Sequence, residues 1–379
     1  MNKENKLGSR RSGIELLKII AIFMIVISHV TQTLSSENIH YTSDYVINIT
    51  QATTSIQQLI LSFIYHMGAQ GNLIFFTCSA WFLLKSEKVN SKKILHMLVD
   101  VWAINLIFLF IVGATRNYDI AFTDVIKSLL PSTFACNWYI TCYILFYSIH
   151  VWLNWIIEKL SQKQLLSSCI IMIGLYFGLN YIKSGLFFCS ELITFIVIYF
   201  IIAYIKLYMI DFCQNIQKNI VICLIGIFGG GLLTLLTNYL GLHMSLFANK
   251  VTHWGGNNSP FLLMIAISLF NIFNNTNFRN IVINYVSGLS LLVYLLHENL
   301  LFRRYIRQQI WIYLYHTFGH RYVLFWVLVY AVLLFSTSIL MAMLYKMFIQ
   351  KWLYRISDKC SDKIPFMYGA LCDRIIKFK

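Results

Sequence analysis

The chain has 379 residues, of which 58% are hydrophobic and only 12% charged, and its mean hydropathy is +0.67. That balance excludes a soluble enzyme carried on a single anchor and points to a polytopic membrane protein. The net charge of +15 suggests nucleic acid at first sight, yet the 30 Lys and Arg residues gather at the ends of apolar runs, as cytoplasmic flanks do, and no nucleic-acid partner is expected.

Apolar stretches of about 20 residues, the length that crosses a bilayer as a helix, fall at 14–33, 58–84, 94–114, 138–157, 165–183, 186–207, 219–241, 258–275, 283–302 and 321–345. They predict an all-α bundle of about ten transmembrane helices. With the N-terminus inside, most Lys and Arg fall in cytoplasmic segments, the C-terminus is cytoplasmic too, and the outer segment 33–57 carries Glu37 and Asp44 but no Lys or Arg. Only 3 prolines and 18 glycines argue against long linkers, so one membrane domain is expected over 1–345, followed by a basic tail over 346–379. The first stretch lacks the small-residue pattern of a cleaved signal peptide and is expected to remain as helix one.

Helix one carries the most informative pattern. At roughly 100° per residue, Arg11, Glu15, Lys18, Ile22 and His29 fall close to one line, a polar stripe on a greasy helix. His29 lies about 16 Å deeper than Lys18 at 1.5 Å per residue. An ionisable group at that depth belongs in the protein interior or a wet cavity rather than in lipid.

Further along, the second stretch ends Phe75-Phe76-Thr77-Cys78-Ser79-Ala80, small enough at its end for close helix packing. The fourth opens Asn137-Trp138-Tyr139, readable either as an interfacial aromatic belt or as a sugar-stacking mouth. The sixth holds Tyr199, Tyr204 and Lys206. The ninth ends His297-Glu298-Asn299, which is costly to bury and suggests a lined cavity. Outside it, Arg303, Arg304, Arg307, His316, His320 and Arg321 crowd together, either as headgroup anchors or as a cradle for an anionic acceptor. The nine cysteines have no metal-type spacing and read as small core residues; no metal is expected. The tail from Lys346 alternates basic and aromatic residues and is expected to lie on the anionic inner leaflet, in contact with membrane lipids.

Four of these segments, in this order, resemble the acyltransferase 3 family of integral membrane acyltransferases. Ile14-Glu15, Lys18 and His29 occupy the places of a motif in which a basic residue stands eleven positions before an essential His. The Phe-pair segment, the Asn-Trp-Tyr opening and the Ser290-Leu291 to His297 run are similar to further family segments, with Ala80 where Gly is usual. The acidic residue after His297 is a feature of the capsule-related branch.

The resemblance implies an O-acyltransferase of the cell membrane, moving an acyl group, most often acetyl, from acetyl-CoA or another acyl-CoA on the cytoplasmic side. The acceptor it implies is a hydroxyl of a cell-surface polysaccharide or its lipid-linked precursor. It implies His29 as the catalytic base, with Arg11, Lys18 and Glu15 serving the donor; Trp138, Tyr139, His297, Glu298 and Arg303 are candidates for the acceptor side and cavity. A proton-coupled transporter and a polysaccharide polymerase or flippase are the rival classes. The first would more often show inverted repeats and broken helices in matching positions, and the second more spans or a large outer loop.

Overall fold

The computed structural model describes residues 11–35, 46–115, 118–183 and 190–361. Glu37, Asp44, Cys189, Cys372 and residues 362–379 of the tail lie outside the described residues, as do the side chains of His320 and Cys360. The long helices are α1 (Ser12–Leu34), α2 (Ile56–Leu83) and α3 (Ser91–Thr115). After the short α4 (Phe122–Leu129) come α5 (Trp138–Lys159), α6 (Gln162–Ile182), α7 (Glu191–Tyr208), α8 (Ile216–His243) and α9 (Pro260–Asn274). The chain then breaks into α10 (Ile281–Ser287), α11 (Ser290–His297) and α12 (Gln308–Phe318), and closes with α13 (Val323–Tyr345). There is no strand among the described residues, and the molecule is an all-α polytopic bundle.

Nine helices among the described residues are long and apolar enough to cross a membrane, against about ten expected from the sequence. The difference is the segment 283–302. It is interrupted at Gly288-Leu289, and again at Glu298, where Asn299 accepts hydrogen bonds through its side chain from the N–H groups of Leu301 (3.0 Å) and Phe302 (3.2 Å). That side chain starts a new helical segment and so ends the old one. The tail also differs at its start, since α13 runs on through a π-helical turn (Lys346–Gln350) into α14 (Lys351–Ser361). Asp100 on α3 receives the hydroxyl of Tyr345 at 2.9 Å and the amide of Gln350 at 2.9 Å, while His96 stacks on Tyr354 at 3.8 Å between centroids. The two bonds hold the turn, and the stack holds α14, on α3.

α1 is the hub. It packs chiefly on α2 and also touches α9, α10, α11 and α13. Two apolar clusters meet along it: Ile22 to Leu34 with α3, α11 and α13, and Ile14 to Ala21 with α2, α7 and α9. The α1/α2 contact is close because α2 carries glycine there. A Cβ on Gly71 would stand 2.5 Å from the Ala21 carbonyl oxygen, which is backbone and cannot yield. With hydrocarbon outside, such close approach between small residues is what drives helices together.

The cysteines behave as packing residues. Cys78, Cys169, Cys213 and Cys223 are buried, and all six described ones are free. Burial pushes the Cys213 thiol up to about 11, outside the reactive range, and raises that of Cys136.

Candidate active site

Lys18, Ile22, Ile25 and His29 stand at i, i+4, i+7 and i+11 of α1 and share one face. The first three line a cavity of about 360 Å³. Asn72 of α2, Lys93 of α3, Tyr139 and Tyr143 of α5 and Tyr294 of α11 complete the walls that matter for chemistry. Its basic end is set by two cations. Lys18 donates to Glu15 at 3.2 Å, and Glu15 in turn accepts from the Ser287 hydroxyl. Lys93 donates to the Tyr143 hydroxyl at 3.1 Å and stands 4.4 Å from the Tyr147 ring centroid. No carboxylate among the described residues pairs with it.

The far end of the cavity stops at Ile25 and Tyr294, one helical turn short of His29 and His297 respectively. There the break after α11 brings the His297-Glu298 pair against α1. His29 Nδ1 lies 3.0 Å from His297 Nε2 and 2.9 Å from Glu298 Oε2. The proton positions follow from the partners. His297 Nδ1 faces the Val293 carbonyl oxygen at 2.6 Å, which only accepts, so that nitrogen carries the hydrogen and Nε2 holds the lone pair. His29 Nδ1 therefore meets two acceptors and must be the donor, which leaves its Nε2 as the basic nitrogen, outside this network.

Glu298 is 5% exposed and is held by two guanidinium groups, Arg303 at 2.7 Å on Oε1 and Arg307 at 2.9 Å on Oε2. Arg307 is itself buried and also reaches the His297 carbonyl at 3.3 Å. An ion cluster in this position demands full pairing, since a buried charge stripped of its partner is strongly destabilising. The donor atoms of His29, His297 and Glu298 lie within 4.8 Å of one another, close enough to hold a metal ion, but the two arginines already supply positive charge to the carboxylate. What the arrangement provides directly is an imidazole oriented by a carboxylate, the pattern of a positioned general base.

The structure thus brings together Lys18 and Tyr139 along the cavity, with Glu15 behind Lys18, and His29, His297, Glu298 and Arg303 beyond its far end. It leaves two candidates aside. Arg11 is exposed at the start of α1, its guanidinium donating to the Asn274 carbonyl at 3.4 Å, and Trp138 meets Tyr139 edge-on at 5.7 Å without lining the cavity. The arginine crowd also has another use than the sequence suggested. Arg303 and Arg307 serve Glu298, and Arg304 serves the fully buried Asp124 at 2.5 Å, because buried carboxylates need counter-ions more than a wet surface needs cations. Lys93 and Tyr294 are wall residues that sequence reasoning passed over. Lys93 reads as one more cytoplasmic flanking charge, and only its place beside the Tyr143 and Tyr147 rings sets it apart.

Among protein families, the acyltransferase domain of the acyltransferase 3 family matches residues 11–346. Searches of curated proteins and of solved structures found no match. The matched range takes in every cavity residue and the whole His29 cluster. The chain therefore belongs to the acyltransferase 3 family and is a multi-pass membrane acyltransferase.

Proposed function

We propose that the protein is an O-acetyltransferase of the cell membrane that takes the acetyl group of cytoplasmic acetyl-CoA and delivers it to a hydroxyl of a cell-surface polysaccharide or its lipid-linked precursor. The observation that carries this is the α1 stripe itself: one helix face runs from Lys18 past the cavity to His29, so a donor held at the basic end points its reactive end at the oriented imidazole. The cavity volume of about 360 Å³ suits an acyl-pantetheine arm and leaves the nucleotide at the mouth, where Lys18 and Lys93 meet its phosphates. His29 Nε2 takes the proton of the acceptor hydroxyl. Tyr139 stands on the wall where a sugar ring would stack.

Polar groups at the far end, rather than a second cationic site, receive the acceptor, because Arg303 and Arg307 are committed to Glu298. The test is transfer of labelled acetyl from acetyl-CoA to surface glycan in membranes containing the wild type or His29→Gln. Loss of transfer in the variant, with the protein still inserted, supports the proposal. Undiminished transfer by His29→Gln sinks it, and an unchanged acetyl content of surface glycans on removing the protein sinks the acceptor assignment.

A further inference from the structure

Buried polar groups without a partner are rare, and each calls for an explanation such as a missing ligand. Among the described residues that carry such a group, Tyr294 is the one that lines the cavity. Tyr294 is 6% exposed, and its ring lies 6.0 Å from Tyr139 and 6.0 Å from His297. The hydroxyl approaches the backbone of Tyr139 in the first turn of α5 but closes no sound hydrogen bond there or elsewhere. A second orphan donor belongs to the same turn. Asn137, 2% exposed, sits at the N-cap of α5, where an Asn side chain ordinarily bonds an N–H of the first turn; here it does not.

The Asn137 side chain is turned instead by a ladder of amides. Asn299 Nδ2 donates to Asn105 Oδ1 at 3.1 Å, and Asn105 Nδ2 donates to Asn137 Oδ1 at 3.4 Å. The oxygen of Asn137 is thereby fixed, and its Nδ2, with two hydrogens, has no partner. Asn299 immediately follows Glu298, so the ladder starts at the break that positions the His29 cluster.

We propose that the Tyr294 hydroxyl and the Asn137 amide are the two donors that hold the thioester carbonyl oxygen as it becomes an oxyanion. The inference rests on acyl-CoA being the donor. The acceptor oxygen bonds to the carbonyl carbon while its proton passes to His29 Nε2, and the carbonyl π pair moves onto oxygen, where Tyr294 O–H and Asn137 N–H meet it. Collapse re-forms the carbonyl and breaks the carbon–sulfur bond, and the thiolate leaves as coenzyme A after taking the proton back from His29. Neither donor has to abandon another partner to do this, which is the condition for preorganised stabilisation of developing charge.

The full-length protein is assayed as wild type, Tyr294→Phe and Asn137→Ala, for acetyl-CoA turnover and for binding of a ketone analogue of acetyl-CoA in which a methylene replaces the sulfur. Each variant is expected to lower kcat by about 10²–10³-fold, the effect of removing one oxyanion donor, with KM for acetyl-CoA changed less than about threefold, since only the transition state uses the bond. Tyr294→Phe is expected to keep or raise the Tm, because it deletes an unsatisfied buried donor, and a merely structural tyrosine would not separate Tm from kcat in this way. The ketone analogue keeps a neutral carbonyl and mimics the ground state, so the wild type and both variants should bind it within about threefold of one another. Tyr294→Phe and Asn137→Ala variants with normal kcat overturn this inference alone, as does a loss confined to KM and to binding of the ketone analogue. A wild type that neither binds nor consumes acetyl-CoA overturns the donor assignment, and the oxyanion site with it.

Discussion

At one end of the α1 stripe, Lys18 is partly exposed and its bond to Glu15 spans a single turn of its own helix. Eleven residues on, His29 is joined to His297 and Glu298 across the fold, and through Glu298 to Arg303 and Arg307. The first is a half-buried i, i+3 pair whose carboxylate also accepts from the Ser287 hydroxyl. The second is a desolvated cluster in which removing one member strands the rest, at a cost of about 3–5 kcal/mol. On the proposed function the difference separates tasks: the basic end would release a nucleotide on every turnover, while the far end would hold one nitrogen in one direction.

The largest effect should come from the locked end. His29→Gln is expected to lower acetyl transfer by about 10³-fold or more, combining loss of the base with loss of its orientation, and transfer within threefold of wild type would break the contrast. Next, Glu298→Gln keeps the shape but leaves Arg307 buried beside a neutral amide. It should cost about 10²–10⁴-fold in kcat, as when a base loses its orienting carboxylate, and lower the thermal stability measurably. A variant with unchanged Tm and kcat shows that the cluster is not load-sharing.

At the open end the effects should be smaller and fall on binding. Lys93→Ala is expected to raise KM for acetyl-CoA by about tenfold, which is about 1.4 kcal/mol and close to the weak end of one charge-assisted hydrogen bond, with kcat little changed. The penalty should vanish with S-acetylpantetheine, which lacks the nucleotide phosphates. An equal penalty with both donors would show that Lys93 acts on packing instead. Arg11→Ala, whose guanidinium meets a backbone carbonyl near the surface among the described residues, is expected to change KM by less than about twofold.

How much of this was legible in the sequence divides along the same line. Lys18 and His29 belong to one helix, and their spacing alone places them on one face, so that part of the site needed only the helical period. The meeting of His29 with His297 and Glu298 joins residues 268 positions apart and depends on how α1 packs on α11, which periodicity does not encode. The run His297-Glu298-Asn299 signalled a cost, but not what offsets it. Charge counting treats Arg303 and Arg307 as surface cations because a one-dimensional pattern cannot see a buried carboxylate behind them. Hydropathy reads 283–302 as one unbroken helix for a related reason: a window averages across Gly288 and Asn299, where the backbone actually changes course.

The tautomer forced on His29 has a stereochemical consequence. An electrophilic mimic of the donor, such as a bromoacetyl thioester, would meet the unshared pair on Nε2 and find Nδ1 shielded by its own proton. Covalent capture should accordingly yield a single regioisomer of alkylated imidazole, and the protein's own hydrogen bonds, not the reagent, would have chosen it.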